Sequence, residues 1–183
     1  MTALLILLAL VVLVALALVL MYNGLVKLRN QIEGAWAQVD VQLKRRHDLI
    51  PNLVETVKGY AGHEKETLDA VIRARSAAGA ASGPAEQAQA EGVVTSALRQ
   101  VFALSEAYPD LKANQGFLQL QEELSGTESR ISYARQFYND TVQRYNTKIQ
   151  TFPTVVIANA MRFEEREYFE ADDASRGPVD VRF

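Results

Sequence analysis

From Ala3 to Met21 the chain carries no polar side chain, and the 20 residues Ala3–Tyr22 would rise about 30 Å as a helix, the thickness of a bilayer's hydrocarbon core. A helix that is apolar on every face must be buried in a large core or in lipid. A chain of 183 residues builds only one modest core. The run therefore reads as a membrane-spanning helix. The competing reading is a cleaved signal peptide, which has a charged start, a shorter apolar stretch and a small-residue cleavage site. Here the start is uncharged, and the A-x-A from Ala15 to Ala17 lies inside the run.

No Lys or Arg precedes the run, whereas Lys27 and Arg29 follow it closely. The positive-inside rule then predicts a very short N-terminus outside and the remainder in the cytoplasm, with the chain in the cytoplasmic (inner) membrane as a single-pass protein. Lys27 and Arg29, one to two turns beyond the run, are candidate headgroup contacts.

Beyond the span, Leu25, Leu28, Ile32, Ala35, Val39 and Leu43 recur at helical spacing, with Trp36 beside them. The phase continues through Arg46/His47, Ile50, Val54, Val57, Ala61, Leu68 and Ile72. This predicts one long helix to about Arg75, bent at Pro51. Two helices with a turn at Asp48 to Pro51 are the alternative. Residues 76–83, SAAGAASG, read as a reversal, and Pro84 as the start of a second helix to Ala107. Its apolar residues include Val93, Val94, Ala97, Leu98 and Val101. A third helix is expected from Pro109 to Gln150, with a seam of Phe117, Leu120, Leu124, Thr127, Ile131, Ala134, Tyr138, Thr141, Tyr145 and Lys148/Ile149. A short apolar helix follows to about Met161, then an acidic tail whose last stretch, Pro178 to Phe183, alternates in an extended pattern.

The fold class is thus all-α: an N-terminal transmembrane helix continuing into a long-helix, up-and-down cytoplasmic bundle of three to four helices plus a short C-terminal helix. The expected divisions are 1–22 for the membrane segment, 23–162 for the bundle and 163–183 for the tail.

Chemistry has few footholds. With no Cys, thiolate metal sites and cysteine nucleophiles are excluded. Of the two His, His63 lacks the partners a metal needs and reads as exposed, and His47 reads as a buried, hydrogen-bonded seam residue. Phosphate-binding glycine loops and hydrolase signatures are missing, so neither an enzyme nor a cofactor is expected. A formal charge of −3 gives no electrostatic reason to expect nucleic acid.

The cluster Lys44, Arg45, Arg46 lies about 35 Å beyond the span if the helix is continuous, too far for lipid, so it reads as a solvated face or as candidate ion pairs within the bundle or with a partner. Tyr138 and Tyr145, each followed by Asn, share one stripe and form a candidate polar core whose hydroxyls need partners. Leu25, Leu28, Ile32 and Trp36 are a candidate oligomer interface, because the second helix is too short to cover the whole seam. Packing of these four against the chain's own third helix is the alternative.

The stretch AWAQVDVQLKRRHDLIPNLVETVKGYAGHE at 35–64 resembles the signature of the LemA family of bacterial membrane proteins. The likeness extends to YNGLVKLRN at 22–30, YPDLKANQGFLQLQEELSGTE at 108–128, ISYARQFYNDTVQRYN at 131–146 and the final PVDVRF. It implies a single N-terminal membrane helix and a cytoplasmic helical bundle, and it carries over no catalytic residue. The expected function is a membrane-anchored, non-catalytic bundle that self-associates or scaffolds other membrane proteins, with the membrane and further copies of the chain as partners. The alternative is a signalling or regulatory module that binds a ligand or modulates a membrane protease.

Overall fold

A computed structural model of the chain describes residues 1–170. The expected extended stretch Pro178 to Phe183 lies outside the described residues. Those described are all helical or irregular: α1 Thr2–Lys58, α2 Lys65–Ala80, α3 Pro84–Leu104, α4 Pro109–Lys112, α5 Gln115–Gln150 and α6 Thr154–Ala160.

Helix α1 runs 57 residues without interruption from the apolar run through Pro51. Proline has no N–H, so the carbonyl four residues back, that of His47, loses its helical donor. Arg75 on α2 replaces it, donating from Nε to the His47 carbonyl at 2.7 Å. The turn weighed at Asp48 to Pro51 is therefore absent. The helix stops instead at Gly59, ahead of Gly62, whose missing Cβ would lie 3.0 Å from the Lys58 carbonyl. One helix to Arg75 is thus corrected to two, α1 and α2. The periodicity misled because Ala61 and Leu68, on either side of the corner, face one core and are both buried.

The predicted reversal at 76–83 shrinks to three residues, because α2 extends to Ala80. Gly83 precedes α3 with φ +83°, a left-handed conformation that suits glycine, and Pro84 fills the first turn. The expected third helix divides after α4. Asn114 caps the N-terminus of α5, its Oδ1 accepting from Phe117 N at 2.9 Å while its Nδ2 donates to the Tyr60 hydroxyl at 2.9 Å.

The described residues form two compact units, one of residues 1–37 and 136–166 and the other of residues 38–135 and 167–170. In the first, the antiparallel pairing of α1 and α5 is marked by Gly24 beside Lys148 and by the rings of Trp36 and Tyr138, whose centroids are 5.4 Å apart. The large apolar side chains from Leu4 to Leu20 are all exposed. In the second, the remainder of α1 packs with α2, α3 and the first part of α5 around Ile50, Leu53, Val57, Val71, Val94, Val101, Phe117 and Leu124. The α5 seam is buried where periodicity predicted, at Phe117, Leu124, Thr127, Ile131, Tyr138, Thr141, Tyr145 and Ile149. Val93 departs from expectation: it is 59% exposed, and Glu91 takes the inward position on α3.

Candidate functional site

The buried seam of α1 passes through Val39, Leu43, Arg46, Ile50, Leu53 and Val57, so helical spacing carries one arginine into the core. The α3 seam of Ala88, Glu91, Val94, Leu98 and Val101 likewise carries in one glutamate. An isolated buried charge costs far more than such a fold can spare, whereas a paired and hydrogen-bonded one is tolerated. The two charges meet. Arg46 Nη2 donates to Glu91 Oε2, and also reaches the Glu91 carbonyl at 3.3 Å. Its Nη1 donates to Thr95 Oγ1 at 3.0 Å and to Glu128 Oε2 on α5. One guanidinium therefore fastens α1 to both α3 and α5.

Glu91 Oε1 accepts from Gln87 Nε2 at 2.9 Å and lies 2.8 Å from His47 Nε2, off the line of a hydrogen bond. Burial pushes the Glu91 carboxyl upward, but the neighbouring His47 and the Arg46 charge outweigh it and hold the group below the ordinary value of 4.5. Three buried atoms here, His47 Nε2, Arg46 Nε and Gln42 Oε1, make no hydrogen bond. Beside the cluster opens a cleft of about 330 Å³ lined by Arg46, Glu91, Thr95, Arg99, Glu128 and Arg135, with the buried ring of Phe169 against it.

The three basic residues of the predicted cluster separate. Arg46 is 1% exposed, Arg45 makes a solvated pair with Glu123 at 3.7 Å, and Lys44 is exposed. Their spacing puts only one of three consecutive residues on the seam. His63 is exposed, His47 is half-buried beside Glu91, and the described residues hold no metal-ligand cluster.

In the first unit, Tyr138 and Tyr145 are 3% and 1% exposed. The Tyr145 hydroxyl donates to the Glu164 carbonyl at 3.1 Å. Asn146 pairs with Arg166 on both sides of its amide, Nδ2 donating to the carbonyl and Oδ1 accepting from the N–H, each at 2.9 Å. The Tyr-Asn pair thus clamps the segment after α6. Burial raises the Tyr145 pKa, opposed by the charges of Arg166 and Arg29. Lys27 and Arg29 are both exposed.

The candidate interface residues pack within the single chain, as the alternative reading had it. Leu25 and Ile32 are 0% and 4% exposed within the single chain, Leu28 is half-buried, and Trp36 packs on Tyr138. The reason is the antiparallel return of α5, which covers this part of α1 although the second helix cannot.

The family comparison matches residues 35–183 to the LemA family. Among curated proteins, the chain is 29% identical to Protein LemA of Metamycoplasma hominis over 87% of its own length and 73% of that protein's. It is 24% identical to magnetosome protein MamQ 2 of Paramagnetospirillum magneticum, over 88% of this chain and 69% of that protein. Magnetosome protein MamQ of Magnetospirillum gryphiswaldense is 23% identical over the same shares. With an apolar N-terminal helix long enough to cross a membrane, an all-helical architecture and a match over most of its length, the chain belongs to the LemA family.

Proposed function

We propose that the chain is a membrane-tethered, non-catalytic bundle that self-associates or scaffolds other membrane proteins, with residues 1–22 as its membrane segment. The supporting observation is that α1 runs as one helix from the apolar run to Lys58 without a break. The charges of the Arg46–Glu91 cluster bond to one another, which is the use of a structural fastener. In this reading the part from Lys27 onward lies in the cytoplasm, with Lys27 and Arg29 among lipid headgroups.

Since α5 covers the Leu25 to Trp36 face, contacts between copies fall to the span, where Ala9, Ala15 and Ala17 permit close helix approach. Confinement to one plane raises the effective concentration of neighbours. The test is native mass measurement of the full-length chain in nanodiscs, together with disulfide crosslinking of an Ala9→Cys variant in membranes. Dimers or higher ladders are expected. Single chains in both would remove self-association.

A regulatory module is favoured by one feature, the cleft where Arg99 and Arg135 stand beside the Arg46 cluster. Single chains that bind a ligand there would choose this second reading.

A further inference from the structure

Helix α6 has one buried face, Thr154, Ile157 and Ala158, and exposed apolar side chains stand on the helix and at both its ends. Phe152, Val156 and Met161 are 81%, 60% and 61% exposed. Scattered exposed apolar residues are ordinary, but three within ten residues of a polar, acidic-tailed segment are a patch in want of a cover. Their height along the molecule says what covers them. The Lys148 ammonium rests over Gly24, where an added Cβ would lie 3.1 Å from Nζ, and α5 there runs antiparallel to α1. Helix α5 ends at Gln150, two residues beyond Lys148 in the direction of the apolar run, and Phe152 lies in the turn that leads into α6. Phe163, just past α6, meets Tyr22 edge to face with ring centroids 5.9 Å apart. At the same end Arg29, Arg162 and Arg166 surround a polar recess of about 250 Å³, with Glu164 and Glu165 on its wall.

Apolar rings at the edge of the hydrocarbon, with guanidinium groups one layer above, are the arrangement of an interfacial membrane contact. We propose that the α6 segment, through the exposed side chains of Phe152, Val156 and Met161, is seated in the bilayer interface as a second membrane contact beside the span. The proposal rests on the reading of residues 3–22 as membrane-spanning. It gives the return of α5 to the membrane a use, since the chain touches lipid at two places instead of one.

The test uses the full-length chain, free of native Cys, in nanodiscs of equimolar phosphatidylcholine and phosphatidylglycerol. Single-cysteine variants Val156→Cys, Tyr133→Cys and Val12→Cys carry an environment-sensitive fluorophore, and lipids bearing a nitroxide high on the acyl chain or near its end serve as quenchers. Tyr133 is 80% exposed and lies about 22 Å back along α5 from Lys148, so it reports solvent. Position 156 is expected to be quenched by the high nitroxide at least about two-fold more than position 133, and position 12 by the deep one. Equal quenching at 156 and 133 with position 12 deeply quenched would overturn the interfacial seat alone. An unquenched position 12 would overturn the spanning reading, and the proposal with it. As a check that the label does not create its own contact, α6 amides in unlabelled protein should exchange more slowly in nanodiscs than after the triple change Phe152→Ser, Val156→Ser, Met161→Ser. Equal exchange in the two proteins would also overturn it.

Discussion

Arg46 on α1 and Glu91 on α3 form an ion pair at the meeting of two otherwise apolar seams, with side chains 2% and 4% exposed. A buried pair of this kind adds little over well-packed apolar groups, yet removing one member leaves the other charged and alone. Glu91→Ala is therefore expected to cost about 3–5 kcal/mol, and the joint change Arg46→Met with Glu91→Leu much less. Chemical denaturation of the detergent-solubilised chain measures both. Additive losses in the double variant would mean that the two side chains act independently.

The same carboxylate gives the protein an acid limit. Its pKa in the fold is depressed below 4.5 by His47 and Arg46, so its stabilisation is complete above that value and is lost as the pH falls through the depressed one. Melting temperatures across this acid range should fall for the natural chain, and Glu91→Gln should start lower and fall less. Parallel acid slopes for both proteins would place the sensitivity on other groups.

Leu124 and Ile131 lie on the buried seam of α5 at 3% and 6% exposure. Truncation of either to Ala should cost about 2–5 kcal/mol. Val93→Ala, at an exposed position of α3, should stay within about 0.5 kcal/mol. If Val93→Ala proved as costly as the two seam variants, the outward placement of Val93 described above would be wrong.

Arg75 should matter because of Pro51. Arg75→Ala strips the His47 carbonyl of its donor, at a cost of about 1–3 kcal/mol. Pro51→Ala restores a backbone N–H to that carbonyl, so the double variant should be more stable than Arg75→Ala alone. A double variant weaker than both single ones would show that Arg75 contributes through other contacts.

Much of the fold was legible because α5 repeats its buried positions at threes and fours from Phe117 to Ile149, a pattern that local sequence carries by itself. The corner at Gly59 to Glu64 was not, since the turn returns Ala61 and Leu68 to the same core and keeps the apolar phase unbroken. Two glycines at 59 and 62 were the signal. Arg46 was visible as a candidate ion-pair residue, but Glu91 was hidden by the apolar Val93 and Val94 beside it. The signal there was spacing: Glu91 stands three residues before Val94 and seven before Leu98, the interval of a seam, and a charge on a seam asks for a partner. The packing of the four candidate interface residues within the chain was not legible for a different reason. Their cover comes from α5, more than a hundred residues away, and periodicity in one helix does not say which other helix fills its face.

The unbroken path of α1 past Tyr22 also fixes an azimuth. Because no flexible joint separates the apolar run from Leu25, the direction in which each residue of the run points is indexed to the side on which α5 and α6 stand. One residue inserted at Asn23 would turn the run by about 100° and raise it by about 1.5 Å, while leaving its composition untouched. In a tether made of loose chain, such an insertion would be silent. In this one it re-aims every side chain of the apolar run, so the length of α1 between that run and Leu25 is itself a specified quantity.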